Sequence, residues 1–265
     1  MTRLSASGAI GPSARQVDLL QDPFAVLQAT IFPELALTAY LPRTASPIFD
    51  AGYHAAAFAE LAHQVENRLG EPEAAALRRE LPAVVAYLDT NKPPQQMPIA
   101  ILACRPAGLL DAWRLRDDVE LELRIAHRLE LQPIRWQLQA HPPVLVVAAD
   151  KEKVTVYAVV LEHVEEVAAF AGRDVHVQRQ GGSSAVSWQR KEEGHARENL
   201  LLAADWLRRV PPGFVGRLYL AGPAEARELF RSVLPPAWSG LVAGELRLPL
   251  YASHGEIANS VRNLG

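Results

Sequence analysis

The residues most able to do chemistry lie together in one polar stretch, residues 179–190. Two adjacent glycines and two serines stand between a predicted strand and a predicted helix. Glycine lets a backbone adopt positive φ and approach another molecule closely, so we expect an exposed tip loop here. The candidate contact residues of this tip are Arg179, Gln180, Gly181, Gly182, Ser183, Ser184, Arg190 and Lys191.

The flanks of the tip are basic. Residues 173–197 carry five lysine and arginine side chains against three carboxylates, whereas the whole chain has a formal net charge of -3. A local excess of positive charge beside a glycine loop suits contact with phosphate groups. The alternative is an ordinary solvated helix face with no contact role.

Other chemistries fit the residues less well. The glycines are not followed by the Lys-Ser/Thr of a phosphate-binding loop, and no Gly-x-Ser-x-Gly motif surrounds Ser183 or Ser184, although His176 or His195 could act as a base. Several carboxylates could meet on a sheet as a metal site, but their spacing does not enforce it: Asp150, Glu165, Glu166, Asp174 and Asp205. We therefore expect no metal and no cofactor, and Ser183 or Ser184 would be the nucleophile of a serine hydrolase.

Composition indicates a soluble protein. Of the 265 residues, 49% are apolar and 22% are charged, as in ordinary globular proteins. No apolar run approaches the roughly 20 residues that a membrane helix needs, and the first 15 residues lack the apolar core of a secretory signal. Cys104 is the one cysteine, and its apolar neighbours predict a buried thiol in a reducing compartment. We expect a cytoplasmic protein without membrane contact.

Hydrophobic periodicity predicts an N-terminal α/β domain over residues 21–141, preceded by a flexible tail over residues 1–20. Strands are expected near residues 35–41, 99–104, 108–115 and 119–125. Phe58, Leu61 and Ala62 recur at helical spacing, and a second helix follows Glu71-Pro72-Glu73, with Pro82 expected to kink or split it. A further helix covers residues 131–140, with Trp136 as an expected packing anchor.

The second domain is predicted over residues 142–265, after the break at His141-Pro142-Pro143. Three or four strands lead to the tip, and one long helix over residues 185–210 leaves it, with Leu200, Ala203, Ala204 and Leu207 facing the core. Further elements alternate: a strand at 218–221, a helix at 224–233, a strand at 246–250 and a helix at 254–261. This order predicts a mixed sheet with helices on its faces.

The tip resembles the central domain of the class I release factors of archaea and eukaryotes. Their loop reads Gly-Gly-Gln-Ser-Ala-Leu-Arg-Phe-Ala-Arg, and the glycines, Ser184, Ala185 and Arg190 coincide with it here. The strands at 144–150 and 154–160 and the segment Leu218–Ala224 also look like those of that domain. The chain is similar to the bacterial members of this superfamily, which includes the Pelota-like rescue proteins.

The resemblance implies a ribonuclease H-like central domain whose tip approaches the peptidyl transferase centre. It implies the large ribosomal subunit and tRNA as partners, in rescue, quality control or hibernation. Ser183 stands where the family has its catalytic glutamine, and Leu69-Gly70-Glu71-Pro72 lacks a stop-codon reader. The chain is also expected to lack the family's C-terminal domain.

Three hypotheses follow from these residues. The first is a codon-independent ribosome-binding protein. The second is an active peptidyl-tRNA hydrolase in which Ser183 or Gln180 replaces the glutamine. The third is a protein-interaction module with no RNA contact.

Overall fold

The structure is a computed structural model. It describes residues 20–44, 52–94, 96–149, 153–171, 185–210, 212–249 and 252–264, and it describes side chains within residues 185–210 from Arg197 onward. The chain divides into two compact units. Among the described residues, the first comprises residues 22–141 with Leu161–His163, and the second comprises residues 20–21, 142–160 and 164–264.

The first unit is built on a four-stranded antiparallel sheet of order β3-β2-β1-β4. Its described elements, in chain order, are α1 (Ala25–Ala29), β1 (Ala36–Leu41), α2 (Tyr53–Glu66), α3 (Glu71–Asn91), β2 (Ile99–Cys104), a 3-10 turn (Arg105–Ala107), β3 (Leu109–Arg114), β4 (Glu122–Ala126) and α4 (Gln132–Ala140).

Helices α2 and α3 cover one face of this sheet. The predicted apolar stripe of α2 is confirmed: Phe58, Leu61 and Ala62 are buried and pack in one core with Leu77 and Val84 of α3. The 3.6-residue repeat explains this, because it gathers those side chains on one side of each helix.

Two expectations for the first unit were not met. The helix is not split at Pro82: α3 continues from Glu71 to Asn91, and Pro82 is exposed, so water can satisfy the carbonyl that proline leaves without a donor. Trp136 is 62% exposed, because α4 turns Ile134, Gln137 and Leu138 inward instead. The buried thiol is confirmed, since Cys104 is fully buried in β2 and burial raises its pKa.

The second unit is built on a five-stranded mixed sheet of order β7-β6-β5-β8-β9. Its described elements are β5 (Val144–Ala149), β6 (Lys153–Val160), β7 (His163–Ala171), α5 (Ala185–Arg209), β8 (Arg217–Ala221), α6 (Ala224–Val233), α7 (Pro236–Ser239), β9 (Val242–Leu246) and α8 (His254–Arg262).

Strand β5 is central in this sheet. It pairs antiparallel with β6 on one side and parallel with β8 on the other, and β8 pairs parallel with β9. The α/β class and the mixed sheet expected of a ribonuclease H-like domain are thereby confirmed. The last strand was predicted over residues 246–250, which was wrong, since it is Val242–Leu246. Leu246 pairs with Ala221, the final residue of β8, so the residues after Leu246 have no partner on β8.

Helices cover both faces of this sheet. Val144 and Val146 of β5 share a core with Ile257 and Val261 of α8. Side chains alternate along a strand, so Leu145 and Val147 point to the opposite face. Helix α5 contacts β6 and α6 in the same unit.

Candidate functional site

The predicted tip lies mostly beyond what the structure describes. Arg179, Gln180, Gly181, Gly182, Ser183 and Ser184 lie outside the described residues. Arg190 and Lys191 lie on α5, in the part whose side chains are not described. The structure does describe the base of the tip, meaning the end of β7 that leads into it and the part of α5, from Arg197 onward, that leaves it.

The strand entering the tip and the helix leaving it are joined by an aromatic contact. Phe170, near the end of β7, meets Trp206 of α5 edge to face, with ring centroids 6.4 Å apart. Aromatic pairs in this geometry contribute about 0.5–1.5 kcal/mol beyond their buried area. Strand β7 and the C-terminal half of α5 are therefore held together within one unit.

Helix α5 is anchored along its C-terminal half. Leu200, Ala203, Ala204 and Leu207 are each at most 1% exposed, as the sequence predicted. The small alanines let the helix approach its neighbours closely, and the leucines fill the remaining space. The helical residues before Arg197 add about 18 Å of helix at 1.5 Å per residue, so the tip is reached through a long helical stem.

The C-terminal end of α5 is closed by Trp238 of α7. This side chain is fully buried, and its indole Nε1–H donates to the carbonyl oxygens of Leu207 at 2.9 Å and Val210 at 3.1 Å. The last carbonyls of a helix have no partner within the helix, so an outside donor satisfies them. Arg208 and Arg209 lie in this last turn, where positive charge complements the helix dipole.

A cavity of about 430 Å³ lies in the second unit, at the carboxyl ends of the parallel strands β5, β8 and β9. Its floor is made of small residues at the strand ends, Ala148, Ala149, Ala221 and Gly222. Gly222 has φ +116°, and a Cβ there would lie 1.9 Å from the carbonyl oxygen of Ala149. Glycine is therefore required for β5 and β8 to end so close together.

Three basic side chains line this cavity: Lys153, Arg227 and Arg247. Arg227 is held in place, since it donates to the carbonyl of Gly222 at 2.6 Å and lies 2.7 Å from the carboxylate of Glu245. The sequence analysis did not single out these residues. The one indirect signal for them in the sequence is the pair of predicted strands over residues 144–149 and 218–221, whose carboxyl ends would share one edge of the sheet if the strands run parallel.

The carboxylates considered for a metal site have other roles where they are described. Glu166 pairs with Lys153 at 3.7 Å, and Asp205 pairs with Arg208 on the same helix. Asp150 and Asp174 lie outside the described residues, as do His176 and the ring of His195. Within the described part of the chain, no group of three or more metal-binding side chains is assembled. No helix in that part is long and apolar enough to cross a membrane.

Burial also shifts the pKa values of Tyr157 and His54. Burial, and secondarily the nearby carboxylate of Glu166, raises the pKa of Tyr157, which lines the cavity. Burial lowers the pKa of His54, which is 1% exposed on α2. Tyr157 therefore stays protonated at neutral pH and presents a neutral hydroxyl in the cavity, and His54 stays uncharged.

Comparison with known proteins gives one family match. The model of bacterial archaeo-eukaryotic release factor family 10 matches residues 130–264, half of the chain, and this range contains the tip, its base and the cavity. No curated protein matches the sequence.

Solved structures give weaker matches. An archaeal translation termination factor is 12% identical, with 90% of this chain and 67% of that protein covered at a TM-score of 0.35. Pelota of Archaeoglobus fulgidus is 15% identical, and the match covers 64% of this chain and 48% of that protein at a TM-score of 0.33. Pelota of Thermoplasma acidophilum is 14% identical, and the match covers 61% of this chain and 46% of that protein at a TM-score of 0.28. The chain therefore matches about half the length of each Pelota protein.

Proposed function

The chain belongs to bacterial archaeo-eukaryotic release factor family 10, and we propose that it binds the ribosome and places its glycine tip near peptidyl-tRNA. Membership makes it a release-factor-like protein of translation. The observation that carries the proposal is that the matched range, residues 130–264, spans the whole tip together with the strand and helix at its base.

In this proposal the tip acts by contact. Gly181 and Gly182 allow close approach to RNA, because a residue without Cβ leaves the backbone accessible. Arg179, Arg190 and Lys191 pair with phosphates of the large subunit or of the tRNA acceptor end. Such contacts position a protein on RNA without reading its sequence, which fits codon-independent action in rescue, quality control or hibernation.

The base of the tip supports a positioning role. Phe170 and Trp206 join β7 to the C-terminal half of α5, and Trp238 caps the helix that leaves the tip. A contact segment carried by elements that are held in place loses less conformational entropy on binding than a free one. The second unit is thus a suitable mount for a contact loop.

The proposal concerns the place of action more than a reaction. In the class I release factors that the tip resembles, a glutamine amide at this position takes part in peptidyl-tRNA hydrolysis, and Ser183 stands in its place here. A serine hydroxyl is two carbons shorter and has no amide, so it does not reach the same water position. Binding without hydrolysis is therefore the expected behaviour.

Ribosome co-sedimentation tests the binding. The wild-type protein should pellet with ribosomes at low salt, and Arg190→Gln/Lys191→Gln should weaken pelleting and lower the salt dependence by about 1.5 log units of affinity per log unit of salt. Arg208→Gln/Arg209→Gln is the matched control, since it removes two adjacent charges from the other end of the same helix. Absence of pelleting by the wild type at any salt concentration would contradict the proposal.

A release assay separates binding from catalysis. Ribosomes loaded with labelled peptidyl-tRNA should show no peptide release above background with the wild-type protein. Ser183→Gln restores the family residue and should raise release if the tip reaches the peptidyl transferase centre. Release by the wild type that Ser183→Ala abolishes would instead establish an active hydrolase.

A further inference from the structure

The cavity described above lies beside the end of β5, the central strand of the second unit's sheet. Strands β6 and β7 lie on one side of β5, and β8 and β9 lie on the other. The ends of β5, β8 and β9 lie side by side and line a crevice. In open α/β sheets, ligands bind in such crevices outside the carboxyl ends of the strands.

The charges around this crevice do not balance. Lys153, Arg227 and Arg247 line it, and Arg231 lies on the same helix as Arg227. Two described carboxylates form ion pairs with three of these four cations. Glu245 is shared between Arg227 and Arg231, at 2.7 and 3.1 Å, and Glu166 contacts Lys153 at 3.7 Å. Among the described residues, the lining of the cavity carries three cations and no carboxylate.

The cations differ in how firmly they are held. Arg227 is mostly buried and tied to the carbonyl of Gly222, yet its Nε is buried without a hydrogen-bond partner among the described atoms. Lys153 and Glu166 are each 44% exposed, and ion pairs of this kind contribute little and exchange readily. Arg247 has no ion pair among the described residues. A fixed guanidinium and two adaptable cations form a receptive anion site.

The size and walls of the cavity narrow the choice of anion. A phosphate monoester carries close to two negative charges at neutral pH, which suits a described lining of three cations without a carboxylate. The volume of about 430 Å³ falls in the range of small-molecule sites and leaves room beyond a phosphate. The half-buried ring of Tyr157, with Leu248 and Pro249, provides an apolar wall for a base or sugar.

We propose that this cavity binds a phosphate group, carried either by a free nucleotide or by an RNA strand. The guanidinium of Arg227 and the side chains of Lys153 and Arg247 contact the phosphate, and Tyr157 packs against the attached nucleoside. The site is separate in sequence from the glycine tip and does not depend on ribosome binding.

Binding of defined probes to the full chain tests this site. We expect adenosine 5′-monophosphate to bind saturably, adenosine to bind at least tenfold more weakly, and amide signals of Gly222 and Ala252 to shift on titration. Lys153→Gln/Arg247→Gln should weaken binding at least tenfold, since charged hydrogen bonds to phosphate are lost. Arg217→Gln is the matched control, because Arg217 is an exposed arginine at the opposite end of β8. It should change affinity less than twofold.

A second titration distinguishes the two sources of phosphate. A 5′-hydroxyl oligoadenylate binding more tightly than the mononucleotide, with steep salt dependence, identifies RNA; the reverse order identifies a nucleotide site. The proposal is overturned if inorganic phosphate, the mononucleotide and the RNA all fail to bind saturably. It is equally overturned if the loss of binding follows Arg217→Gln, or follows Arg190→Gln/Lys191→Gln alone. Ribosome pelleting by Lys153→Gln/Arg247→Gln reports on the tip independently.

Discussion

Replacing Trp238 by phenylalanine should loosen the helix that carries the tip. The change removes the indole N–H that donates to Leu207 and Val210 and leaves both carbonyls without that donor. A buried polar group deprived of its partner costs about 1–3 kcal/mol, and the smaller ring adds on the order of 1 kcal/mol for lost packing. The expected loss of unfolding free energy is therefore about 2–4 kcal/mol.

Chemical denaturation and amide hydrogen exchange measure this loss. Amides in the last turns of α5 should exchange faster in Trp238→Phe than in the wild type. Trp136→Phe is the matched control, because Trp136 is 62% exposed and the same change there should stay within about 0.5 kcal/mol. If the two variants lose equal stability, or if Trp238→Phe loses less than about 0.5 kcal/mol, the closing of α5 by Trp238 is refuted.

Three further substitutions test other features of the structure. Gly222→Ala should destabilise the second unit by more than about 1 kcal/mol in thermal unfolding, because φ is +116° and the new Cβ meets the Ala149 carbonyl. Gly240→Ala is the control and should not destabilise it, because Gly240 has φ -72° and open space around the added Cβ. Glu80→Gln should lower the free energy of unfolding, measured in denaturant, by about 2–3 kcal/mol, because the fully buried carboxylate accepts hydrogen bonds from the Arg105 backbone N–H and from Arg79. Glu60→Gln, on the exposed face of α2, is the control and should be nearly neutral. Burial lowers the pKa of His54, so as the pH falls the unfolded chain takes up this proton before the folded chain does. The free energy of unfolding should therefore fall as pH drops below about 6.5, by at most about 1.4 kcal/mol per pH unit. His54→Phe should flatten this dependence on pH, and an unchanged dependence would assign it to other groups.

The sequence predicted helices and strands best where the apolar residues follow one clear pattern. The four core residues of α5, from Leu200 to Leu207, follow from helical spacing alone, and β5 follows from a continuous apolar run. The last strand was misplaced because its true partner, β8, ends at Ala221, and a strand's extent depends on what it pairs with. Trp136 was misjudged because residue type suggested burial, whereas helical phase decided exposure.

The candidate sites divide in the same way. The tip is local in sequence, so its glycines, serines and flanking charges can be recognised together from the order of the residues alone. The cavity is not local: Lys153, Arg227 and Arg247 come from three segments that are brought together by the pairing of β5, β8 and β9. No spacing rule in one sequence relates them, because the distance between them is set by strand order.

These two sites place different demands on the same unit. The tip needs a firm base, which the contacts of Trp206 and Trp238 provide, while Ser183 stands where the class I release factors that the tip resembles have a glutamine. The cavity has a fixed guanidinium but adaptable neighbours, which suits binding and release of a ligand. If both operate, Lys153→Gln/Arg247→Gln should remove nucleotide or RNA binding at the strand ends while ribosome pelleting through the tip persists, and Arg190→Gln/Lys191→Gln should do the converse. Because the two variants change different segments of the chain, simultaneous loss of both activities in either variant would mean that one surface serves both, and the separation drawn from the fold would not hold.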